Sequence, residues 1–439
     1  MDGDRSVMTL NLTQDQQEAF DKFVGFLLSN EKEFHLFGSA GCGKTFLTRH
    51  FVNQGLKDYK RNCKVLGVEP VNYNVAVTAT TNKAAEVLRT NGFPFAETIF
   101  KTFNVKVEEN YRTGETYLKE IDKYIICDTL IFIDECSMLP KVMKQIIQRR
   151  TQKCKIVYIG DNYQLAPVKE KPSWNSTPSA TTAVLSIPVR NKNSQALINL
   201  CDQLRTTVDT QEFKDIQLVP GAIKQLDDDG LKQWLMNADF SKSKVLSYTN
   251  QRAIEYIEWI EKNRFKEPSF LREGQLYVNN RMFESKLGNY YPEEEVLIHK
   301  FEIPYIVRDF TGDSGTTYFI KCAHALIGSA QSTNSHMASI AYDPLQFKSE
   351  LKRACKNKDW QVYFYMQKDI LDLRLPYAST VHKAQGSSYD DVVIDLESFE
   401  ACKSYSMASR LLYVAVSRAR SRVFFYGELP SRFGTLVGD

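Results

Sequence analysis

An α/β fold built on two parallel sheets is predicted for this chain on three observations. Short apolar runs recur along the first third, each stopping at a glycine or an acidic residue. Most of these runs are followed by a stretch with helical spacing. Past residue 194 the same alternation returns, interrupted by a long segment of short, aromatic-rich strands. Runs buried on both faces and alternating with helices predict a parallel sheet covered on both sides. Ligands on such sheets bind at the carboxyl ends of the strands.

The elements follow in order. Phe34–Phe37 reads as a first strand ending at a glycine-rich turn, and Thr45–Gln54 as the helix after it. Val75–Thr78 is a second strand, with a helical run over Lys83–Arg89. A third strand, Thr129–Ile133, stops at Asp134, and a fourth, Lys155–Ile159, stops at Gly160. Val105–Lys119 breaks the alternation: polar and apolar residues interleave around Arg112-Thr113-Gly114-Glu115, a hairpin pattern with glycine at the turn. Lys244–Tyr248, Val392–Asp395 and Val423–Tyr426 are the strands of a second unit. Leu276–Val278, Glu295–Ile298 and Tyr318–Ile320 mark a small β domain inserted in it, with a basic amphipathic helix over Leu345–Trp360. The expected division is 1–104 with 120–193, a hairpin at 105–119, 194–262 with 373–439, and an insert at 263–372.

The 439 residues are 43% hydrophobic and 25% charged, with a formal charge of +3, which excludes disordered, collagen-like and coiled-coil classes. No run approaches the roughly 18 apolar residues of a membrane span. The acidic start, MDGDRSVMTLNLTQDQ, does not read as a signal peptide. Nine scattered cysteines without a C-x-x-C pair read as free thiols of a reducing cytosol, neither a disulfide framework nor a zinc site.

Gly38-Ser39-Ala40-Gly41-Cys42-Gly43-Lys44-Thr45 matches G-x-x-x-x-G-K-[ST] without a gap. Its glycines let backbone N–H groups turn inward around phosphate oxygens at a helix N-terminus. Lys44 then reaches the β and γ phosphates of ATP, and the Thr45 hydroxyl ligates Mg2+. Ile131-Phe132-Ile133-Asp134-Glu135 supplies the second half, a carboxylate pair with Asp134 as metal partner and Glu135 as general base or water-positioning residue. Gln164, in Gly160–Val168, is placed to sense the γ phosphate. Arg190 and Arg418 are candidates for the cation that a transferring phosphoryl group needs, with Arg420 and Arg422 as competitors for the second.

Taken in order, these motifs together with Ala79–Ala85, Lys244–Asn250, Thr380–Ser388 and Tyr413–Arg418 resemble those of superfamily 1 DNA helicases. The likeness is greatest to the Dda-type helicases of tailed phages, in the RecD-like group. The His382-Lys383-Ala384-Gln385-Gly386 run is the most diagnostic. The resemblance implies two RecA-like domains with the nucleotide between them, a β-hairpin insertion in the first and a small SH3-like β domain inserted in the second. It makes Leu12–Gln16 a Q motif with Gln16 at the adenine, Arg190 and Arg418 the two arginine fingers, and Gln385 and Gly386 neighbours of the nucleotide. It implies single-stranded and forked DNA as partners, 5′-to-3′ movement, and a strand-separating pin at 105–119 with Tyr117 favoured over Tyr111 as its wedge. It also implies a monomeric working unit, contacts with single-strand-binding or replisome proteins, and no membrane association. The place of action would be the cytoplasm, that of an infected host cell for a phage protein. Thr81, Asn82, Lys83, Thr98, Phe100, Thr380, His382 and Lys383 fit the mixture of donors and faces that sequence-independent strand binding needs. Two departures fall on that surface: Thr80 and Asn82 stand where relatives often show proline and histidine, and Phe100 where they tend to have histidine. A P-loop phosphotransferase and a catalytically dead DNA adaptor are the competing classes. The Thr380–Arg418 motifs argue against the first, and intact Lys44, Asp134 and Glu135 against the second.

Overall fold

A computed structural model describes residues 12–39, 41–165, 181–187, 194–265, 270–284, 289–329 and 335–438. It divides into two compact units. One holds 1–103 with 123–193, and the other 104–122 with 194–439.

The first unit is built on a six-stranded sheet. Its order is Thr181–Leu185, Glu33–Gly38, Lys155–Gly160, Thr129–Asp134, Asn74–Ala79 and Glu97–Thr98, and every pairing is parallel. The four strands expected from sequence are all present. Leu130 to Ile133 and Ile156 to Ile159 are buried throughout, as a sheet covered on both faces requires. Thr181–Leu185 was not anticipated, because Val184 is exposed and two threonines open the run, so it is not an unbroken apolar one. The helix after the glycine-rich turn continues well past Gln54. Lys44–His50 passes through a π-helical turn, Phe51–Gly55, into Leu56–Leu66. The core beneath the turn is aromatic: Phe23 stacks on Phe51 at 4.0 Å, and Phe34 meets both rings edge-on.

The second unit holds a five-stranded parallel sheet in the order Ile223–Leu226, Ala419–Tyr426, Tyr389–Asp395, Ser243–Ser247, Ala378–Thr380. Its inserted segment carries a mixed six-stranded sheet around one long hairpin, Glu295–Thr311 with Thr317–Ser329. These strands are far longer than the apolar runs suggested. Bulges near Ile298, Phe301 and Ile303 interrupt the alternation that marks a strand in sequence. The expected basic helix is Pro344–Lys356, ending four residues before Trp360, and a second helix, Trp360–Asp369, starts after Lys358 turns left-handed at φ 60°. Phe347, Leu351 and Ala354 bury the apolar side of the first helix.

The hairpin forms as expected, Val105–Glu109 against Thr116–Glu120. By contacts it groups with the second unit, although the chain inserts it between strands of the first. Glu109 pairs with Lys368 at 2.7 Å, and Tyr111 meets Phe364 edge-on at 5.7 Å. The tip lies against Trp360, where a Cβ on Gly114 would fall 2.5 Å from the indole ring, so only glycine fits there.

One buried charge ties helix to sheet in the first unit. Lys155 Nζ donates to the carbonyls of Phe26 (2.9 Å), Ser29 (2.7 Å) and Glu31 (2.6 Å), capping the helix Gln14–Leu28 at its negative end. Lys155→Met keeps most of the side-chain volume and leaves those carbonyls without their donor. The expected loss is about 3 kcal/mol, to be read as a lowered midpoint in chemical denaturation.

Candidate nucleotide and DNA sites

Strand Glu33–Gly38 delivers the chain into the glycine-rich turn, and helix Lys44–His50 leaves it. Gly41 and Gly43 both take φ 85°, a left-handed conformation that points successive N–H groups toward one side. Ala40 lies outside the described residues. Ser39 and Cys42 are buried, and burial pushes the Cys42 thiol up, so it is an inert wall of the loop. Thr45 is half-buried in the first turn of the helix. Lys44 Nζ donates to Gly38 O at 2.7 Å and Ser39 O at 3.0 Å, folding back over its own loop. Burial pulls its pKa down, and this is outweighed by the neighbouring acidic groups, the carboxylates of Asp161, Glu135 and Asp134 among them, which hold it raised and the ammonium charged.

Asp134 ends its strand, and its Oδ1 accepts the Glu135 N–H at 2.9 Å. Burial raises the Asp134 carboxyl, against the pull of Lys44 and that N–H. Glu135 is left-handed, at φ 52° and ψ 40°, an uncommon state for a residue with a side chain. Gln164 is buried behind the next strand end, its amide 3.3 Å from Asp161 Oδ2. Gln16 does two jobs: its Oε1 accepts the Thr13 N–H in a capping box, and its Nε2 donates to Cys42 O at 3.1 Å. The structure therefore puts Gln16, Gly38, Ser39, Gly41, Cys42, Gly43, Lys44, Thr45, Asp134, Glu135 and Gln164 at one end of one sheet. Among the described residues no group of three or more His, Cys, Asp or Glu could hold a metal. A Mg2+ ion held by one carboxylate, a hydroxyl and the substrate's own phosphates needs no such group.

In the second unit Arg418 is buried, and it donates to Val414 O, Ser387 O and Ser417 Oγ, all neutral. Its bond to Ser387 O ties it to the turn containing Gln385 and Gly386. Arg420 and Arg422 instead pair at the surface with Asp390 and Asp391. Arg190 lies outside the described residues.

The expected DNA contacts fall into two groups. Thr81 caps helix Asn82–Thr90 by accepting Ala84 N–H, and Thr98 caps Ile99–Thr102 by accepting Lys101 N–H. Their strands are adjacent, with Ala79 opposite Thr98, so Thr81, Asn82, Lys83, Thr98 and half-buried Phe100 share one edge. Phe95, which the sequence reading passed over, precedes Thr98 and is 94% exposed. In the second unit Thr380 is buried and accepts the Lys383 N–H, and His382 lies 6.3 Å from the Tyr248 ring. Lys383 Nζ reaches Asn280 Oδ1 at 3.3 Å and Glu293 at 4.0 Å. Burial and the Arg374 charge bring its pKa down to about 8. On the hairpin Tyr117 is half-exposed, its hydroxyl on Glu108 beside the Lys119–Glu108 pair.

A family model described as an AAA domain matches residues 22–170, and one described as a UvrD-like helicase C-terminal domain matches 375–426. The ATP-dependent DNA helicase dda of Enterobacteria phage T4 is 23% identical across 94% of this chain and 99% of its own length. The ATP-dependent DNA helicase Pif1 of Campylobacter jejuni is 24% identical across 91% of this chain and 89% of its own length. A solved structure of Pif1 helicases at forked duplex DNA covers 98% of this chain and 95% of its own, at 17% identity and a TM-score of 0.51, and so shares the fold. An AAA domain and a UvrD-like helicase C-terminal domain thus match in order, and the chain is similar over nearly its whole length to the Dda and Pif1 helicases.

Proposed function

We propose that this protein is an ATP-driven DNA helicase that tracks 5′-to-3′ on a single strand and separates duplex at a fork with its hairpin. The observation that carries the chemistry is the field around Lys44. One ammonium, folded onto loop carbonyls, sits among the carboxylates of Asp134, Glu135 and Asp161. Phosphate oxygens take the place of those carbonyls as partners of Lys44, and the loop N–H groups bind the rest of the phosphate charge. Thr45 and Asp134 are the residues to hold Mg2+, whose charge would offset that of the phosphates. Glu135 accepts a proton from water as its oxygen bonds to the γ phosphorus, while the bond from that phosphorus to the β-phosphate oxygen breaks. Gln164 orients that water or the γ phosphate. Arg418, held among the described residues by neutral oxygens, and Arg190 supply cations as charge develops on the transferred group. Gln16 faces the adenine, and Gln385 and Gly386 adjoin the nucleotide through Arg418. Tyr117, on the hairpin, stacks on a base at the fork, and the insert at 263–372 is the counterpart of the family's SH3-like domain. Single-strand-binding or replisome proteins are the accessory partners of such a motor, working as a monomer in the cytoplasm.

ATP hydrolysis with and without single-stranded DNA, and unwinding of duplexes with a 5′ or a 3′ tail, test this reading. Turnover indifferent to DNA, or unwinding only from a 3′ tail, would overturn it. Glu135→Gln should bind ATP and stall, and Arg418→Ala should bind ATP and lose the DNA-stimulated rate. Parental turnover in either variant removes that residue from its role. Tyr117→Ala should leave single-strand translocation intact and cut unwinding sharply, as loss of a stacking contact of about 1–3 kcal/mol implies. The Lys383 ammonium is present below about pH 8 and lost above it. Single-strand affinity should therefore fall from pH 7 to pH 9 in the parent and stay flatter in Lys383→Arg, measured by fluorescence anisotropy.

A further inference from the structure

Glu135 must keep a left-handed backbone that a side chain disfavours by roughly 1–2 kcal/mol, so something has to hold it. Each of its backbone polar groups is occupied. Its N–H goes to Asp134 Oδ1 at 2.9 Å. Its carbonyl accepts two donors, Met138 N at 3.0 Å and Thr80 Oγ1 at 3.0 Å. Met138 belongs to the same turn, whereas Thr80 comes from a different strand end. Strand Asn74–Ala79 pairs in register with Thr129–Asp134, Ala79 opposite Asp134, and the Thr80 N–H extends the ladder to Asp134 O at 3.2 Å. Thr80 is 7% exposed, so its hydroxyl is shielded from competing water. The residue after it, Thr81, caps the helix that starts with Asn82 and Lys83.

We propose that Thr80 is a positioning residue for hydrolysis. Its hydroxyl and N–H lock the backbone of the Asp134–Glu135 turn and so aim the Glu135 carboxylate. The sequence reading marked Thr80 only as a departure from a common proline. Proline has neither an N–H nor a hydroxyl, so the lock depends on this chain having threonine. Thr80 touches no phosphate in this scheme and acts through Glu135. The inference rests on the ATP-hydrolysing function proposed above.

Thr80→Val keeps the shape and the N–H and removes the hydroxyl, and Thr80→Ser keeps the hydroxyl. In the full chain, DNA-stimulated kcat should fall about tenfold in the valine variant, a modest aiming error by the usual scale. KM for ATP and the affinity for a single-stranded oligonucleotide should stay near parental, and serine should restore kcat. A second readout needs no nucleotide. Amide exchange in the peptide 133–139 should quicken in Thr80→Val and not in Thr80→Ser, with Thr80→Ala standing in should valine fail to fold. Parental kcat in the valine variant, a serine variant as slow as the valine one, or unchanged exchange at 133–139 would overturn the proposal. A parental chain that hydrolyses no ATP fails the functional reading instead, and the exchange comparison still decides whether Thr80 holds Glu135.

Discussion

The first unit is arranged around one ammonium group. Desolvation acts against the charge on Lys44, and the carbonyls of Gly38 and Ser39 meet only part of that cost. The rest comes from carboxylates at the ends of other strands, Asp161 after Lys155–Gly160 and the Asp134–Glu135 pair after Thr129–Asp134. All of these strands are parallel, so their carboxyl ends share one edge of the sheet. Reversing any one of them would carry its acid to the opposite edge. The same acids that keep Lys44 charged would repel phosphate by themselves, which is why the loop N–H groups and a divalent cation belong to the same chemistry.

That edge is only as well placed as the layer beneath it. Phe23, Phe34, Phe51 and Phe132 interlock across helix Gln14–Leu28, the sheet and the π-helical turn. Gly55 sits where a Cβ would come within 2.8 Å of the Phe23 ring, so the turn passes closely over that ring. Lys155 closes the same helix from the sheet side. The glycine-rich loop thus stands on a close-packed base, and large aromatic side chains leave such a base few alternative arrangements.

Much of this was legible in the residues, for identifiable reasons. Strands buried on both faces announce themselves as unbroken apolar runs, so Thr129–Asp134 and Lys155–Gly160 were found almost to the residue. The phosphate loop is a local motif whose geometry follows from its glycines, and local motifs survive in a bare sequence. What stayed hidden was non-local. The long hairpin of the insert was cut short in the reading by bulges that break period-two patterning. The helix break at Lys358 depends on a left-handed residue that is not glycine. Thr80 looked like an anomaly because its partners, Asp134 O and Glu135 O, lie more than fifty positions away. The surface pairing of Arg420 and Arg422 showed only once Asp390 and Asp391 were seen beside them.

The hairpin shows the same limit from the other side. Its turn was readable from Gly114, yet nothing local says which body holds it. The Glu109–Lys368 pair, the Tyr111–Phe364 contact and the indole under Gly114 attach it to one helix, Trp360–Asp369. A two-stranded ribbon without such support is marginal in water. Tyr111 sets one edge of its ring against Phe364 and stays 50% exposed, while Tyr117 is 49% exposed with its hydroxyl on Glu108. Exposure therefore does not divide the two rings, and what differs is that the Tyr111 contact also holds the ribbon to its helix. Removing the Tyr111 ring would loosen the ribbon from its helix, whereas removing the Tyr117 ring costs only one hydroxyl contact within the ribbon, so only the second change separates stacking from docking.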